Sequence, residues 1–266
     1  MLLTYSPQIG QRIKRYLSSD PDFFKRVHLS YKNFIEGDPT PFIELLEEFY
    51  RQRAVRSRAD TNEANVETTL ELFLFEEVQC VPQLHLIADP NKQWGKGKNA
   101  FVDIFVGNSQ RQVDKPNRLL VLELKNIPLL YLWKARQPYP NANPNGITDF
   151  NPILKEVSEA TEEQLLDLKY TFWDQNNRRW VTLQVKDAQQ AATSQLGKYI
   201  FFMLNGQGDP ERCTGIDDRR VLCRDGGRDV LCGYVIMCIA GTRVICKYTW
   251  SRDTKYTYEV NRRDFR

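Results

Sequence analysis

The chain has 266 residues, 41% hydrophobic and 27% charged, with 37 basic against 34 acidic side chains and a net charge of +3. That length and apolar content support a sizeable core and exclude a disordered chain, while so even a charge balance does not by itself point to nucleic acid. The best apolar run, 234–240, falls far short of the ~20 residues of a membrane helix. The first eight residues (MLLTYSPQ) break before a signal-peptide core forms, so no membrane partner and an intracellular location, cytoplasmic or nuclear, are expected.

Six cysteines are present, Cys80, Cys213, Cys223, Cys232, Cys238 and Cys246, with no C-x-x-C pair and only His28 and His85 beside them. No zinc spacing results, and reduced thiols are expected. So few histidines leave carboxylates, lysine and a metal ion as the resources for any hydrolytic chemistry.

Residues 1–60 read as a helical N-terminal lobe. Runs at 7–16, 23–35 and 41–56 carry apolar residues at three-to-four spacing, separated by the breakers Asp20-Pro21 and Asp38-Pro39. Phe42, Leu45, Leu46 and Phe49 make an amphipathic stripe. Arg51, Arg53, Arg56 and Arg58 follow, either as a solvated helix end or as a phosphate-facing patch.

A helix starting at a Thr61 N-cap runs to about Leu74, with Val66, Leu70, Phe73 and Leu74 on its apolar stripe. At about 100° per residue, Glu63 falls near the centre of that stripe, Glu67 at its edge and Glu71 further round. Strands are predicted at 83–88, 100–106 and 119–125, the last two as nearly continuous apolar runs of the kind covered on both faces. Residues 126–185 read largely as an insertion: a Pro-rich loop, a helix over 152–168, then strands at 169–173 and 180–185. A helix over 187–204 with Asp187 as N-cap, a polar loop, strands at 234–240 and 243–250, and a basic polar tail over 251–266 complete the chain.

Three ionisable residues interrupt otherwise apolar strands: Asp103, Glu123 and Lys125. Glu123 and Lys125 are two apart and share a strand face. If the two strands pair as a hairpin, Asp103 lies beside Glu123, and two adjacent carboxylates need a compensating cation. A divalent metal would supply it.

With Val102 before it, Asp103 followed by Glu123-Leu124-Lys125 on the next strand resembles the PD-(D/E)XK nuclease signature. Asn62-Glu63-Ala64-Asn65-Val66 resembles the helix that supplies the first acid in many members. Gln195-Leu-Gly-Lys-Tyr199 is similar to the Q-x-x-x-Y motif of the RecB-like branch. The resemblance covers 61–250. It implies an α/β fold with a restriction-endonuclease-like αβββαβ core, a mixed central sheet flanked by helices. The helical N-terminal lobe and the insertion after the third strand lie outside that core.

What the resemblance implies for activity is hydrolysis of nucleic-acid phosphodiesters, DNA favoured over RNA, with Mg²⁺ or Mn²⁺ as cofactor. Asp103 and Glu123 would bind the metal with the Leu124 carbonyl as a further ligand, and Glu63 would act through water or at a second metal. Glu67 is the alternative helix acid. Lys125 would orient the attacking water and stabilise charge at phosphorus. Gln195 and Tyr199, on one helix face, would approach the substrate. Lys92, Lys96 and Lys98 around Trp94 offer phosphate neutralisation and stacking, or form a solvated turn. A catalytically silent nucleic-acid-binding or protein-interaction module, and a nuclease toxin or effector, are the alternatives on the same scaffold.

Overall fold

The computed structural model describes residues 21–52, 62–74, 78–88, 99–108, 116–137, 149–205 and 215–260. Their helices are α1 (Pro21–Glu36), α2 (Thr40–Arg51), α3 (Glu63–Phe73), α4 (Leu129–Lys134), α5 (Asn151–Glu159), α6 (Glu162–Asp167) and α7 (Val185–Asn205). The strands are β1 (Val78–Ile87), β2 (Asn99–Asn108), β3 (Arg118–Ile127), β4 (Lys169–Asp174), β5 (Arg179–Gln184), β6 (Val221–Asp225), β7 (Val230–Ile239), β8 (Arg243–Asp253) and β9 (Tyr256–Val260).

A five-stranded sheet in the order β1-β2-β3-β7-β8 forms the centre, with β3 and β7 parallel and the other neighbours antiparallel. The protein is thus α/β, a mixed sheet flanked by helices. The apolar runs of β3 and β7 are explained by cover on both faces. Leu120, Leu122 and Leu124 of β3 join Tyr234 and Ile236 of β7 against Phe34, Phe42, Leu46, Tyr50 and Leu70 of α1 to α3. Leu119, Val121, Val235 and Met237 join Ala192, Leu196, Ile200 and Met203 of α7. Gly233 permits the close approach of α7, since a Cβ there would lie 2.8 Å from Ile200 Cδ1 and 3.2 Å from Leu196 Cδ2.

Several sequence expectations are corrected. The described part of 1–60 is no separate lobe, because α1 and α2 close one face of the sheet, with Tyr50 rather than Phe49 fully buried. The run 7–16 and Arg53, Arg56 and Arg58 lie outside the described residues, and Arg51 is paired with Glu47 at 2.7 Å on the same helix. The segment 126–185 is built into the fold: Leu129, Leu132, Ile153, Val157, Leu165 and Tyr170 belong to the core beneath α7.

The expected helix over 152–168 is two helices. Ala160 is extended, and Thr161 starts α6 with a capping box to Gln164, a local signal that competes successfully with helix continuation. The short helix α4 occupies part of the expected loop. Asp187 lies in the first turn of α7 rather than capping it, its carboxylate accepting the Gln184 N–H at 2.8 Å.

Residues 251–260 are not a polar tail. Ser251–Asp253 extend β8, and β9 pairs with β6, burying Tyr256, Tyr258 and Val260 in strand alternation. Cys80, Cys223, Cys232, Cys238 and Cys246 form no disulfides, and no helix among the described residues is long and apolar enough to cross a membrane.

Candidate active site

The β2–β3 ladder joins Val106 to Leu120, Phe105 to Val121 and Ile104 to Leu122. Asp103 and Glu123, next in line, do not pair through the backbone. On the other side of β2, Pro82 pairs with Ile104 and Leu84 with Val102, but Gln83 between them has φ +50° and its carbonyl accepts from Arg220 Nη2 at 3.2 Å. Asp103 therefore sits where both neighbouring ladders are interrupted, a left-handed non-glycine residue opposite it marking local backbone strain.

Three charged side chains converge there. Asp103 Oδ2 accepts the Leu124 N–H at 2.6 Å, providing the partner that a buried amide requires. Glu123 is completely buried. The Lys125 ammonium donates to Glu123 Oε1 at 2.8 Å and to the Leu124 carbonyl at 2.8 Å. It also lies 3.6 Å from Glu63 Oε1. Glu123 Oε2 is buried without a hydrogen-bond donor among the described residues.

Burial raises the carboxyl pKa of Glu123 first, and the neighbouring Asp103 charge raises it further against the opposing pull of Lys125. Asp103 is likewise raised by burial, opposed by the Leu124 N–H and Lys125. On Lys125, burial acts to lower the pKa, but the charges of Glu123, Glu63 and Asp103 outweigh it and hold the ammonium above its ordinary value. With three acids around one ammonium, the cluster retains a demand for positive charge.

Glu63 is corrected. It does not lie on the buried face of α3, where Val66, Thr69, Leu70, Phe73 and Leu74 sit. Its side chain is 48% exposed, because α3 begins at this residue. The cap is Asn62, whose side chain accepts the Asn65 N–H at 2.9 Å, and Thr61 lies outside the described residues. The exposed position still brings Glu63 to Lys125. Glu67 instead accepts from Gln83 Nε2 at 2.9 Å, and burial, opposed by that bond, pushes its carboxyl up to about 7.

Gln195 and Tyr199 of α7 hydrogen-bond to one another, amide to phenol. Tyr199 is 8% exposed. Its pKa is raised by burial, then affected by Gln195 and by the charges of Glu123, Asp103 and Lys125, so its phenol lies in the electrostatic field of the cluster. Two neighbours of the site escaped the sequence reading. Gln83 carried no signal beyond a loosely alternating strand beside Pro82. Tyr170 of β4 is raised by burial and then by Asp187, with Lys125 opposing, and its only signal was the aromatic run at 170–173. Lys92, Trp94, Lys96 and Lys98 lie outside the described residues.

Among the described residues no group of three or more His, Cys, Asp or Glu side chains is arranged to hold a metal ion. What the cluster offers is two adjoining carboxylates, one buried oxygen lacking a donor, and a neighbouring backbone carbonyl. Comparison with family models, with curated proteins and with solved structures gives no significant match to this chain.

Proposed function

We propose that this chain hydrolyses phosphodiester bonds of nucleic acid, DNA in preference to RNA, on a restriction-endonuclease-like core of PD-(D/E)XK type. The order α3, β1, β2, β3, α7, β7 supports the αβββαβ reading, with Asp103 on β2, Glu123 and Lys125 on β3 and Gln195 and Tyr199 on α7. The observation that carries it is the completely buried Glu123, with one oxygen on Lys125 and the other without a donor, beside Asp103 at a break between strands. A sheet interior gains nothing from such a group unless a cation or substrate completes it.

The donor set fits a hard divalent cation. Asp103 and Glu123 would hold Mg²⁺ or Mn²⁺, with the Leu124 carbonyl and, through water, Glu63 as further oxygen donors. The ion would neutralise the scissile phosphate and acidify bound water.

The chain's own residues supply the rest. In hydrolysis a water oxygen bonds to phosphorus, the bond from phosphorus to the leaving oxygen breaks, and that oxygen gains a proton. Lys125, aimed by Glu123 and the Leu124 carbonyl, donates hydrogen bonds to the water or to a non-bridging phosphate oxygen as negative charge builds. Asp103, raised in proton affinity by burial, and Glu123, raised by burial and by the Asp103 charge, can accept the proton that water loses. Asp103 also clamps Leu124, fixing the strand segment between the two catalytic side chains.

One feature favours a second reading, a non-catalytic nucleic-acid-binding module: Lys125 already neutralises Glu123 and occupies the Leu124 carbonyl. One experiment separates the two. The purified protein is incubated with single- and double-stranded DNA and RNA, linear and circular, in Mg²⁺, Mn²⁺ or EDTA. Cleavage that requires the ion and disappears in folded Glu123→Gln and Lys125→Ala variants is the expected result, with calorimetric Mn²⁺ binding that Asp103→Ala abolishes. Unchanged cleavage by both variants, or absence of both cleavage and Mn²⁺ binding, overturns the proposal.

A further inference from the structure

Between the strand that bears Lys125 and the helix that bears Gln195 lies the β4–β5 hairpin, whose two faces differ sharply. On one, Tyr170 and Phe172 stack with ring centroids 5.6 Å apart, and Tyr131 of α4 lies 6.3 Å from Phe172. Tyr170 belongs to the core under α7 and Phe172 packs against it. On the other face Trp173 is directly opposite Trp180, edge to face at 5.5 Å. Lys134 of α4 places its ammonium 4.2 Å from the Trp180 ring centre, leaving Trp173 as the projecting ring, 46% exposed. The packing of the hairpin gives no reason for so large an aromatic surface to remain in water.

Charge at the tip is one-sided. The hairpin, residues 169–184, carries Lys169, Arg178 and Arg179 against one acid, Asp174. Asp174 is occupied by its own turn, accepting the Asn176 N–H at 2.9 Å and the Asn177 side chain at 2.6 Å. Lys186 is paired with Asp167 at 2.9 Å. Arg178, in the turn, is exposed, and Lys169 is exposed on the Trp173 face at the far end of the ladder, while Arg179 is opposite Asp174 on the other face.

Position links this surface to the cluster. After Ile127 the chain passes through Pro128 into α4, which supplies Lys134, and β5 runs directly into α7. Tyr170, in the field of Lys125, is three residues before Trp173, about 10 Å at roughly 3.3 Å per strand residue.

We infer that the β4–β5 hairpin is a stacking platform for an unpaired base of single-stranded nucleic acid, Trp173 taking the base face and Lys134 and Arg178 the flanking phosphates. The inference rests on the nucleic-acid reading above and narrows its substrate class. A protruding indole stacks on a base only when that base is free of its own stack, which excludes the interior of an intact duplex.

The test measures binding in EDTA, without turnover, by the anisotropy of short fluorescent single-stranded DNA, single-stranded RNA and blunt duplex DNA. Trp173→Ala should weaken single-strand binding by roughly 5- to 150-fold. Trp173→Phe should stay within a few-fold of wild type, and neither variant should change the weak duplex binding. Circular dichroism melting checks that both fold. A response limited to DNA or to RNA strands identifies the sugar read alongside the base. Wild-type affinity in Trp173→Ala, an equal loss on duplex, a Phe variant as weak as the Ala variant, or no single-strand binding by wild type overturns the inference. Cleavage with Mg²⁺ but no dependence on Trp173 would remove the platform alone. Binding through Trp173 with no cleavage would remove the hydrolytic reading alone.

Discussion

Replacing Lys125 by methionine keeps most of the stem volume and removes the ammonium that lies 2.8 Å from Glu123 Oε1, 2.8 Å from the Leu124 carbonyl and 3.6 Å from Glu63. Near pH 8, Glu123 must then keep a buried charge without its cation or take up a proton. The first route costs about 3–5 kcal/mol, as for breaking a buried pair. The second adds about 1.4 kcal/mol for each pH unit above about 7, the raised value Glu123 already has in the wild type, so it is the cheaper route. With the lost hydrogen bond to Leu124 at about 1 kcal/mol, the loss near pH 8 is about 2–3 kcal/mol.

Near pH 5 the Glu123 carboxyl, pushed up to about 7, is largely protonated. The ammonium then has little charge to neutralise, and the loss shrinks to about 1 kcal/mol, that of the hydrogen bond to Leu124. Because the folded-state pKa of Glu123 lies above its unfolded value, the folded state binds the extra proton as pH rises past about 4.5. Without Lys125 that pKa rises further, so the gap between variant and wild type opens as pH climbs past about 7. Thermal unfolding in EDTA reads it: a Tm loss of about 4–12 °C near pH 8 and only a few degrees near pH 5. Mn²⁺ at about 100 times its Kd should restore about 2.7 kcal/mol. Equal losses at the two pH values would show that Lys125 contributes packing rather than charge, and would refute the electrostatic account of the site.

Glu67→Gln preserves a hydrogen-bonding partner for Gln83 and removes a carboxyl pushed up to about 7. A raised acid costs stability as pH rises through that window, so with allowance for solvent screening the variant should gain about 1–2 kcal/mol near pH 8 and nothing near pH 5, by urea midpoints in EDTA. Asn62→Ala removes the cap of α3 and should cost about 1 kcal/mol, with less helical signal and a parallel loss of any Mn²⁺ binding that depends on Glu63. Gly227→Ala would set a Cβ 2.1 Å from Thr257 Oγ1 and 2.3 Å from the Tyr256 carbonyl carbon. Separation of that loop from β9 should cost about 3 kcal/mol or more, seen as a lower denaturation midpoint.

The parts of this protein legible in its sequence are those that local pattern controls. The apolar runs of β2 and β3 announced strands covered on both faces, and the period of two put Glu123 and Lys125 on one face before any fold was known. The helix at 187–204 was legible for the same reason, though it begins at Val185. Thr161 and Gln164 wrote a helix start in plain local chemistry, yet the longer periodic run around them hid it. What only tertiary structure decided depends on partners distant along the chain. The pairing of β6 with β9 converts a polar-looking tail into two buried tyrosines and a valine. The cover of α1 and α2 on the sheet makes one core of what reads as a separate lobe. The interruption of both ladders at Asp103 depends on Gln83 and Arg220, 137 residues apart. Alternation specifies which face a side chain takes, but where two strands part, and which charge then reaches the gap, follows from packing summed over the whole sheet.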